Sequence, residues 1–212
     1  MKRLIPFLGL CLIPILLTGC AIGNRFNYQT VRASIPQVSK KYTIAVASVD
    51  RRADFLNGSV QQNYVGLTRS GFGIPYRVYT RSGGPLADDI SQAVVSSLAA
   101  SGYHATEING FPVSDIQAAK AHLMGSPSER HILITINKWE SDTLVNTDFS
   151  TGLNVQVFDR SGKLLAEENF SASKNIGGSA LNPISAAHEN VLAETSKILS
   201  QIFSSPKLSN SL

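Results

Sequence analysis

The residue types that carry out catalysis are present, but they do not stand at the spacings that catalysis needs. Two Ser-x-x-Lys matches begin at Ser171 and Ser204, without the further motifs of penicillin-binding enzymes, and the GxSxG motif of serine hydrolases is missing. Adjacent carboxylates such as Asp88 and Asp89 do not face each other on a helix. No HxH or HExxH pair of the kind that binds a metal is formed by the histidines, His104, His122, His131 and His188. We therefore expect no enzymatic activity, no cofactor and no metal, with a hydrolase of unrecognised site as the enzymatic alternative.

One cysteine stands in a context that predicts covalent modification. Cys20 ends the sequence Leu17-Thr18-Gly19-Cys20, which follows the basic start Met1-Lys2-Arg3 and an apolar run. A basic start, an apolar run of this length and small residues at its end are typical of a secretory signal peptide, whereas a membrane span needs about 20 apolar residues. A plain signal peptide cut near Gly19 would leave one odd cysteine in an oxidising compartment, which is unusual.

The end of this run resembles the lipobox of bacterial lipoproteins. In that class the cysteine thiol receives a diacylglycerol, the signal peptide is removed before the cysteine, and the new amino group is acylated. The resemblance implies a lipid on Cys20 and attachment to a bacterial membrane. Enterobacterial lipoproteins that stay in the inner membrane carry aspartate at the next position, where this chain has Ala21. The resemblance therefore favours the outer membrane, with the protein facing the periplasm.

Charge and cysteine content narrow the function further. Removing Lys2 and Arg3 with the signal lowers the 19 basic residues of the chain to 17, against 15 acidic residues. So small an excess gives no reason to expect nucleic-acid binding. Because the chain has two cysteines, and Cys11 leaves with the signal, the domain itself has neither a disulfide nor a free thiol. Its fold has to rest on packing alone.

The composition along the chain suggests four parts. We interpret residues 1–19 as the signal peptide and residues 20–41 as the lipidated N-terminus and a polar tether. Residues 42–204 are predicted to form a single domain, and residues 205–212 a loose polar tail.

The hydrophobic pattern predicts an α+β fold. A strand from Tyr42 has two apolar faces, which indicates a central position in a sheet. A helix follows Pro85, and a second main helix is capped by Asn182, with Pro183 at its first position. A weaker helix is predicted over residues 114–124. Further strands are predicted at residues 131–139, 144–158 and 163–173, with a turn at residues 159–162. We expect a mixed, largely antiparallel sheet of about four to five strands, with two main helices packed on one face.

The segment of residues 53–84 is rich in glycine, arginine and aromatic residues and shows no lasting periodicity. Loops of this length in small domains are usually functional or disordered, and the aromatic content argues against plain disorder. Arginine and aromatic side chains are enriched at protein interfaces. The alternative is a loop that folds over the sheet and buries its rings. The candidate partner-binding residues are Arg69, Phe72, Tyr76, Tyr79 and Arg81.

The order of these features resembles the YajG-like outer-membrane lipoproteins. The shared parts are the LTGC box, a short tether, a first strand ending in Asp-Arg, the loop RSGFGIPYRVYTRSGG, the helix LADDISQAVVSSLAASGY and the strand ILITINKW. The likeness extends over nearly the whole chain after the signal. That family has no established activity, so the resemblance implies a fold and a location and no catalytic residues.

Two functions without catalysis are consistent with this sequence. The first is an accessory lipoprotein of the cell envelope that docks a protein partner at the outer membrane. The second is a module that binds an envelope ligand such as peptidoglycan, a glycan or a lipid, because arginine suits anionic groups and aromatic rings suit sugar faces.

Overall fold

The computed structural model describes residues 24–37 and 42–212. The predicted signal peptide of residues 1–19 and the predicted lipidation site Cys20 lie outside these described residues. The strands are β1 (Arg25–Phe26), β2 (Thr43–Asp50), β3 (Tyr64–Arg69), β4 (Pro75–Thr80), β5 (His104–Glu107), β6 (Arg130–Thr143), β7 (Asn146–Asp159) and β8 (Leu164–Gly178). The α-helices are α1 (Ala53–Leu56), α2 (Leu86–Ala100), α3 (Ile116–Met124), α4 (Pro183–Phe203) and α5 (Pro206–Ser209), with a short 3-10 turn at Tyr28–Thr30.

All the described strands belong to one mixed sheet of eight strands. The long strand β6 organises it. One edge of β6 pairs in parallel first with β2 and then with β3, and its other edge pairs with β7 in the antiparallel meander β6–β7–β8. β5 flanks β2, and β4 lies between β3 and β1. The α+β class is confirmed, but the sheet is larger than predicted and has more parallel pairing than a largely antiparallel sheet.

Helices cover both faces of the sheet. The larger core lies between the sheet and the helices α2 and α4, where Ile90, Val94 and Ile198 are buried. A smaller core lies on the opposite face, where Leu123 of α3 packs against Ala47 and Leu133. The two main helices therefore share a face as predicted, and α3 is an additional layer behind it. The double burial of β2 explains why both of its faces are apolar.

The prediction of a polar tether is wrong for residues 24–37. We call this segment the N-terminal strap. Its side chains Phe26, Tyr28, Val31, Ala33 and Ile35 are buried in the larger core. Serines on two helices hold its backbone in place. Ser97 of α2 accepts the Ala33 N–H at 2.8 Å, and Ser196 of α4 donates to the Arg32 carbonyl at 2.6 Å. The strap thus lies along α2 and α4 as part of the domain.

The segment of residues 53–84 and the C-terminal tail also differ from the prediction. The segment contains α1 and the antiparallel β3–β4 hairpin rather than a long irregular loop. The prediction of a loose C-terminal tail is wrong, because Leu208 and Leu212 are buried in the larger core. The Ser211 carbonyl accepts the Arg130 Nε–H at 2.9 Å, which ties the tail to the start of β6.

Candidate functional site

The β3–β4 hairpin ends in a turn whose backbone is bonded within itself. We call residues 70–76 the hairpin tip. The Ser70 N–H donates to the Ile74 carbonyl at 2.9 Å, and the Gly73 N–H donates to the Ser70 carbonyl at 2.8 Å. The Ser70 hydroxyl accepts the N–H groups of Phe72 and Ile74 at 3.3 and 3.2 Å. Gly73 has a φ of 80°, a left-handed conformation that glycine adopts without strain.

The hairpin tip exposes apolar side chains to solvent. Phe72 is 96% exposed, Ile74 53% and Tyr76 49%. The sequence of the hairpin tip, SGFGIPY, contains no charged residue. Single exposed hydrophobic residues are ordinary on a protein surface, but a group of them marks a contact surface.

A second exposed apolar pair lies at the same end of the sheet. The β6–β7 turn contains Leu144 and Val145, both exposed. Thr68 of β3 pairs with Thr143 of β6, so this turn and the hairpin tip are neighbours. The Arg69 guanidinium contributes to the same connection, because its Nη2 donates to Asp142 Oδ2 at 2.6 Å and its Nε to Oδ1 at 2.8 Å. Arg69 therefore joins the two turns.

The base of the hairpin is built from buried polar groups with partners. Asp50 and Arg52 form an ion pair with Nη2 and Oδ2 2.7 Å apart, and both side chains are buried. Arg52 Nη1 also donates to the carbonyls of Tyr64 and Trp139, at 2.6 and 3.3 Å. The Tyr64 hydroxyl donates to Glu140 at 3.0 Å. Burial and the adjacent Glu140 carboxylate raise the pKa of Tyr64, so its phenol remains a donor at neutral pH.

Aromatic rings complete this base. Trp139 is buried, and its indole Nε1 donates to the Tyr28 hydroxyl at 3.0 Å. The rings of Tyr28 and Phe149 meet Trp139 edge-on, at centroid distances of 5.5 and 5.4 Å. This edge-to-face arrangement is the favoured one for aromatic pairs. The N-terminal strap is therefore fastened to the base of the hairpin through Tyr28.

A shallow groove lies beside β1, which we call the β1 groove. Arg25 and Arg81 line one wall, and Ile184 and His188 of α4 line the other. Both arginines are exposed, and neither forms an ion pair within residues 24–37 and 42–212. Ile184, in the first turn of α4, is 49% exposed because it faces this groove.

The structure divides the five predicted partner-binding residues among three environments. Phe72 and Tyr76 belong to the hairpin tip, and Arg69 is bound by Asp142. Tyr79 is half-buried on β4 at the position that pairs with Arg25, and Arg81 lies in the β1 groove. Sequence reasoning missed Leu144, Val145, Arg25 and Ile184. The apolar pair inside the turn Asp142-Thr-Leu-Val-Asn-Thr147 was the signal available for the first two.

Three carboxyl groups near the start of α2 have raised pKa values. Burial raises the pKa of Asp88, Asp89 and Glu107, and at Glu107 the charges of the two aspartates add to the effect. One oxygen of Asp89 accepts the Gln29 side-chain amide at 2.9 Å, and the other is buried without a hydrogen-bond partner. Within the described part of the chain, no group of three or more His, Cys, Asp or Glu residues is arranged to hold a metal ion.

One structural observation bears on how the domain could associate with a membrane. Over residues 24–37 and 42–212, no helix combines the length and the apolar character that crossing a bilayer requires.

No protein-family model matches the sequence, and a search of curated protein sequences gives no match. Solved structures do resemble it. Protein XCC0632 from Xanthomonas campestris, of family DUF330, has a TM-score of 0.50 at 15% identity over 82% of this chain and 92% of its own. PelC from Paraburkholderia phytofirmans, solved as a dodecamer, has a TM-score of 0.40 at 15% identity over 83% and 98%. Lipoprotein GNA1162 from Neisseria meningitidis has a TM-score of 0.30 at 12% identity over 73% and 98%. The likeness to the Xanthomonas protein shows a shared fold.

Proposed function

We propose that this chain is a lipid-anchored accessory protein of the bacterial cell envelope, without enzymatic activity, that docks a protein partner at the outer membrane. The observation that carries the anchor is Cys20 at the end of the lipobox-like sequence Leu17-Thr18-Gly19-Cys20. The element order shared with YajG-like lipoproteins supports the same assignment. The anchor has a clear physical basis, because several acyl chains on one residue hold a protein at a membrane far more firmly than one.

The β1 groove is the surface we propose for the protein partner. Arg25 and Arg81 present two guanidinium groups without acidic partners in the described structure, next to the exposed side chain of Ile184. Guanidinium groups bind carboxylates through paired hydrogen bonds, and an adjacent apolar side chain adds buried area. The partner segment that fits has acidic residues beside an apolar one.

Photo-crosslinking in living cells tests this docking. A photoreactive amino acid replaces Ile184 in the full-length chain, and the adducts are identified by mass spectrometry. A single dominant protein adduct, lost when Arg25→Glu and Arg81→Glu are added, is the expected result. Arg160→Glu is the matched control, because Arg160 is exposed on the β7–β8 turn at the other end of the sheet.

Retention of the adduct in the double charge reversal would show that the β1 groove does not bind the partner. Loss of the adduct in the Arg160→Glu control as well would point to a general charge effect. An absence of adducts at Ile184, with the lipidated protein present in the outer membrane, would remove the docking proposal and leave the anchor intact.

The second candidate function is binding of an anionic envelope ligand. The observation that favours it is again Arg25 with Arg81, now beside the half-buried ring of Tyr79 across β1 and β4. Binding of the purified protein to isolated peptidoglycan sacculi should then weaken in the double variant Arg25→Ala, Arg81→Ala. Binding that is equal in the wild type and the double variant would exclude this role for the groove.

A further inference from the structure

We propose that the hairpin tip and the β6–β7 turn form a membrane-contacting end of the domain, with Phe72, Ile74 and Leu144 resting in the lipid headgroup region. The occupant of this apolar end is the bilayer itself. The inference rests on the lipid anchor at Cys20 in the proposed function, and it assigns an orientation to the whole domain. It uses a surface separate from the β1 groove.

The first support is the place where the described chain begins. The Asn24 carbonyl accepts the Tyr79 N–H at 3.1 Å, and its side-chain amide donates to the Thr68 hydroxyl at 2.9 Å. β1 runs parallel to β4, and β4 runs from the hairpin tip towards the base. The chain therefore enters β1 from the side of the hairpin tip.

The second support is the short distance from Asn24 to the anchor. Cys20 precedes Asn24 by four residues, which span at most roughly 14 Å whatever their conformation. Ile74 of the hairpin tip lies four residues before Val78, the β4 residue level with Asn24 in the β1–β4 register, or about 13 Å at the rise of a strand. A bilayer that holds Cys20 is thus within reach of the tip. The meander extends roughly 40 Å in the opposite direction.

The third support is the chemistry of the tip. A segment that enters a lipid interface must satisfy its backbone polar groups internally and must not carry buried charges. Hydrogen bonds within the turn occupy the N–H groups of Ser70, Phe72, Gly73 and Ile74, and the sequence from Ser70 to Tyr76 is uncharged. Tyrosine is enriched where one end of a ring is apolar and the other wet, which suits the half-exposed Tyr76.

Charge on the neighbouring strands agrees with this orientation. Arg77 of β4, next to the tip and outside the β1 groove, is exposed, and the described structure gives it no ion pair. Basic residues near a bilayer are attracted to anionic lipid headgroups. At the tip end, Asp142 is neutralised by Arg69, and the exposed Asp148 opposite it on β7 accepts the Asn175 amide at 2.9 Å.

Site-specific fluorescence tests the orientation. The full-length lipoprotein carrying Phe72→Cys is purified in its lipidated form, labelled with a polarity-sensitive dye, and inserted into vesicles of phosphatidylethanolamine and phosphatidylglycerol. The label is unique in the proposed lipidated form, because Cys11 is lost with the signal and the thiol of Cys20 carries the diacylglycerol. Leu165→Cys is the matched control, since Leu165 is exposed at the opposite end of the meander.

The expected result is a blue-shifted emission at position 72 and strong quenching by lipids that carry a spin label at the headgroup. The label at position 165 should show neither change. Leu144→Cys should behave like position 72, so the result does not depend on one variant.

The outcomes separate this inference from the proposed function on which it rests. A protein whose intact mass shows no lipid on Cys20 would overturn both. A lipidated protein that floats with the vesicles, while the label at 72 is as exposed to water as the label at 165, would overturn the orientation alone. A dominant protein adduct from a photoreactive residue at position 72 in cells would also overturn it, because the bilayer would not then be the occupant.

Discussion

The two ends of the β3–β4 hairpin differ in the burial of their side chains: those at the base are buried and paired, and those at the tip are exposed. At the base, Arg52 and Trp139 are buried, and each donates to partners within the domain. At the hairpin tip, the ring of Phe72 is almost fully exposed, and within the described residues it packs against no other ring and no cationic side chain. Folding requires the base, because a buried charge or N–H without a partner is costly. The exposed ring of Phe72 adds little buried area to the fold, which agrees with the membrane contact proposed for the tip.

The largest expected effect on stability comes from removing one partner of the buried ion pair at the base of the hairpin. Arg52→Met leaves the carboxylate of Asp50 buried and unpaired, which should lower the free energy of unfolding by about 3–5 kcal/mol. Urea denaturation followed by circular dichroism measures the change. The double variant Asp50→Asn, Arg52→Met should recover part of the loss, since it removes the unpaired charge. A loss below about 1 kcal/mol for Arg52→Met would mean that water reaches the site.

A smaller effect is expected where the base loses one hydrogen bond. Tyr28→Phe removes the acceptor of the Trp139 indole N–H while keeping the ring contact, at an expected cost of about 1–3 kcal/mol. Trp139 is the one tryptophan of the chain, so its fluorescence reports the change directly. Tyr76→Phe at the tip is the control and should leave stability and emission unchanged. Equal effects of the two variants would remove the contrast between base and tip.

The pH dependence of stability should reveal the buried carboxyl groups near the base. Because burial raises the pKa of Asp89 in the folded state, that state holds its proton more tightly than the unfolded state. The contribution is fully present below the ordinary value of 3.8, and stability falls as the pH rises above it. Asp89→Asn should therefore show a smaller decline in the urea midpoint between about pH 4 and about pH 7.

The smallest effect on stability is expected at the tip itself. Phe72→Ser should change the free energy of unfolding by no more than about 0.5 kcal/mol, since the side chain makes little contact in the fold. Thermal and urea denaturation of the purified domain measure it. A loss above about 1 kcal/mol would show that the tip is a folding element, and the contrast drawn between the two ends would fail.

Elements with local signals could be predicted from the sequence. The cap at Asn182 with Pro183, the turn from Asp159 to Gly162 and the apolar run of β6 each depend on residues close together in the chain, and each is present in the structure. These signals are local, so one sequence is sufficient to show them.

Elements that depend on distant contacts were missed. The strap alternates Val31, Ala33 and Ile35 with exposed residues, but three positions are too few to distinguish a buried segment from a polar tether. β3 was not predicted because Gly66 interrupts the pattern of a strand. Glycine is required at this position, because a Cβ there would overlap Ser141 of β6. At the candidate site, the sequence was sufficient to identify the aromatic residues. It could not show that Arg69 binds Asp142 while Arg81 lies in the β1 groove, because both positions depend on how the strands pair.

The strap also has a consequence for the order in which the domain folds. Its hydrogen bonds to α4 join Arg32 with Ser196 and Ser34 with Ser200, residues 164 and 166 positions apart. Contacts of such separation form late, because the chain between them must be ordered first. The strap can therefore be fastened only once α4 is in place, so the first and last segments of the described domain are joined in the same late step.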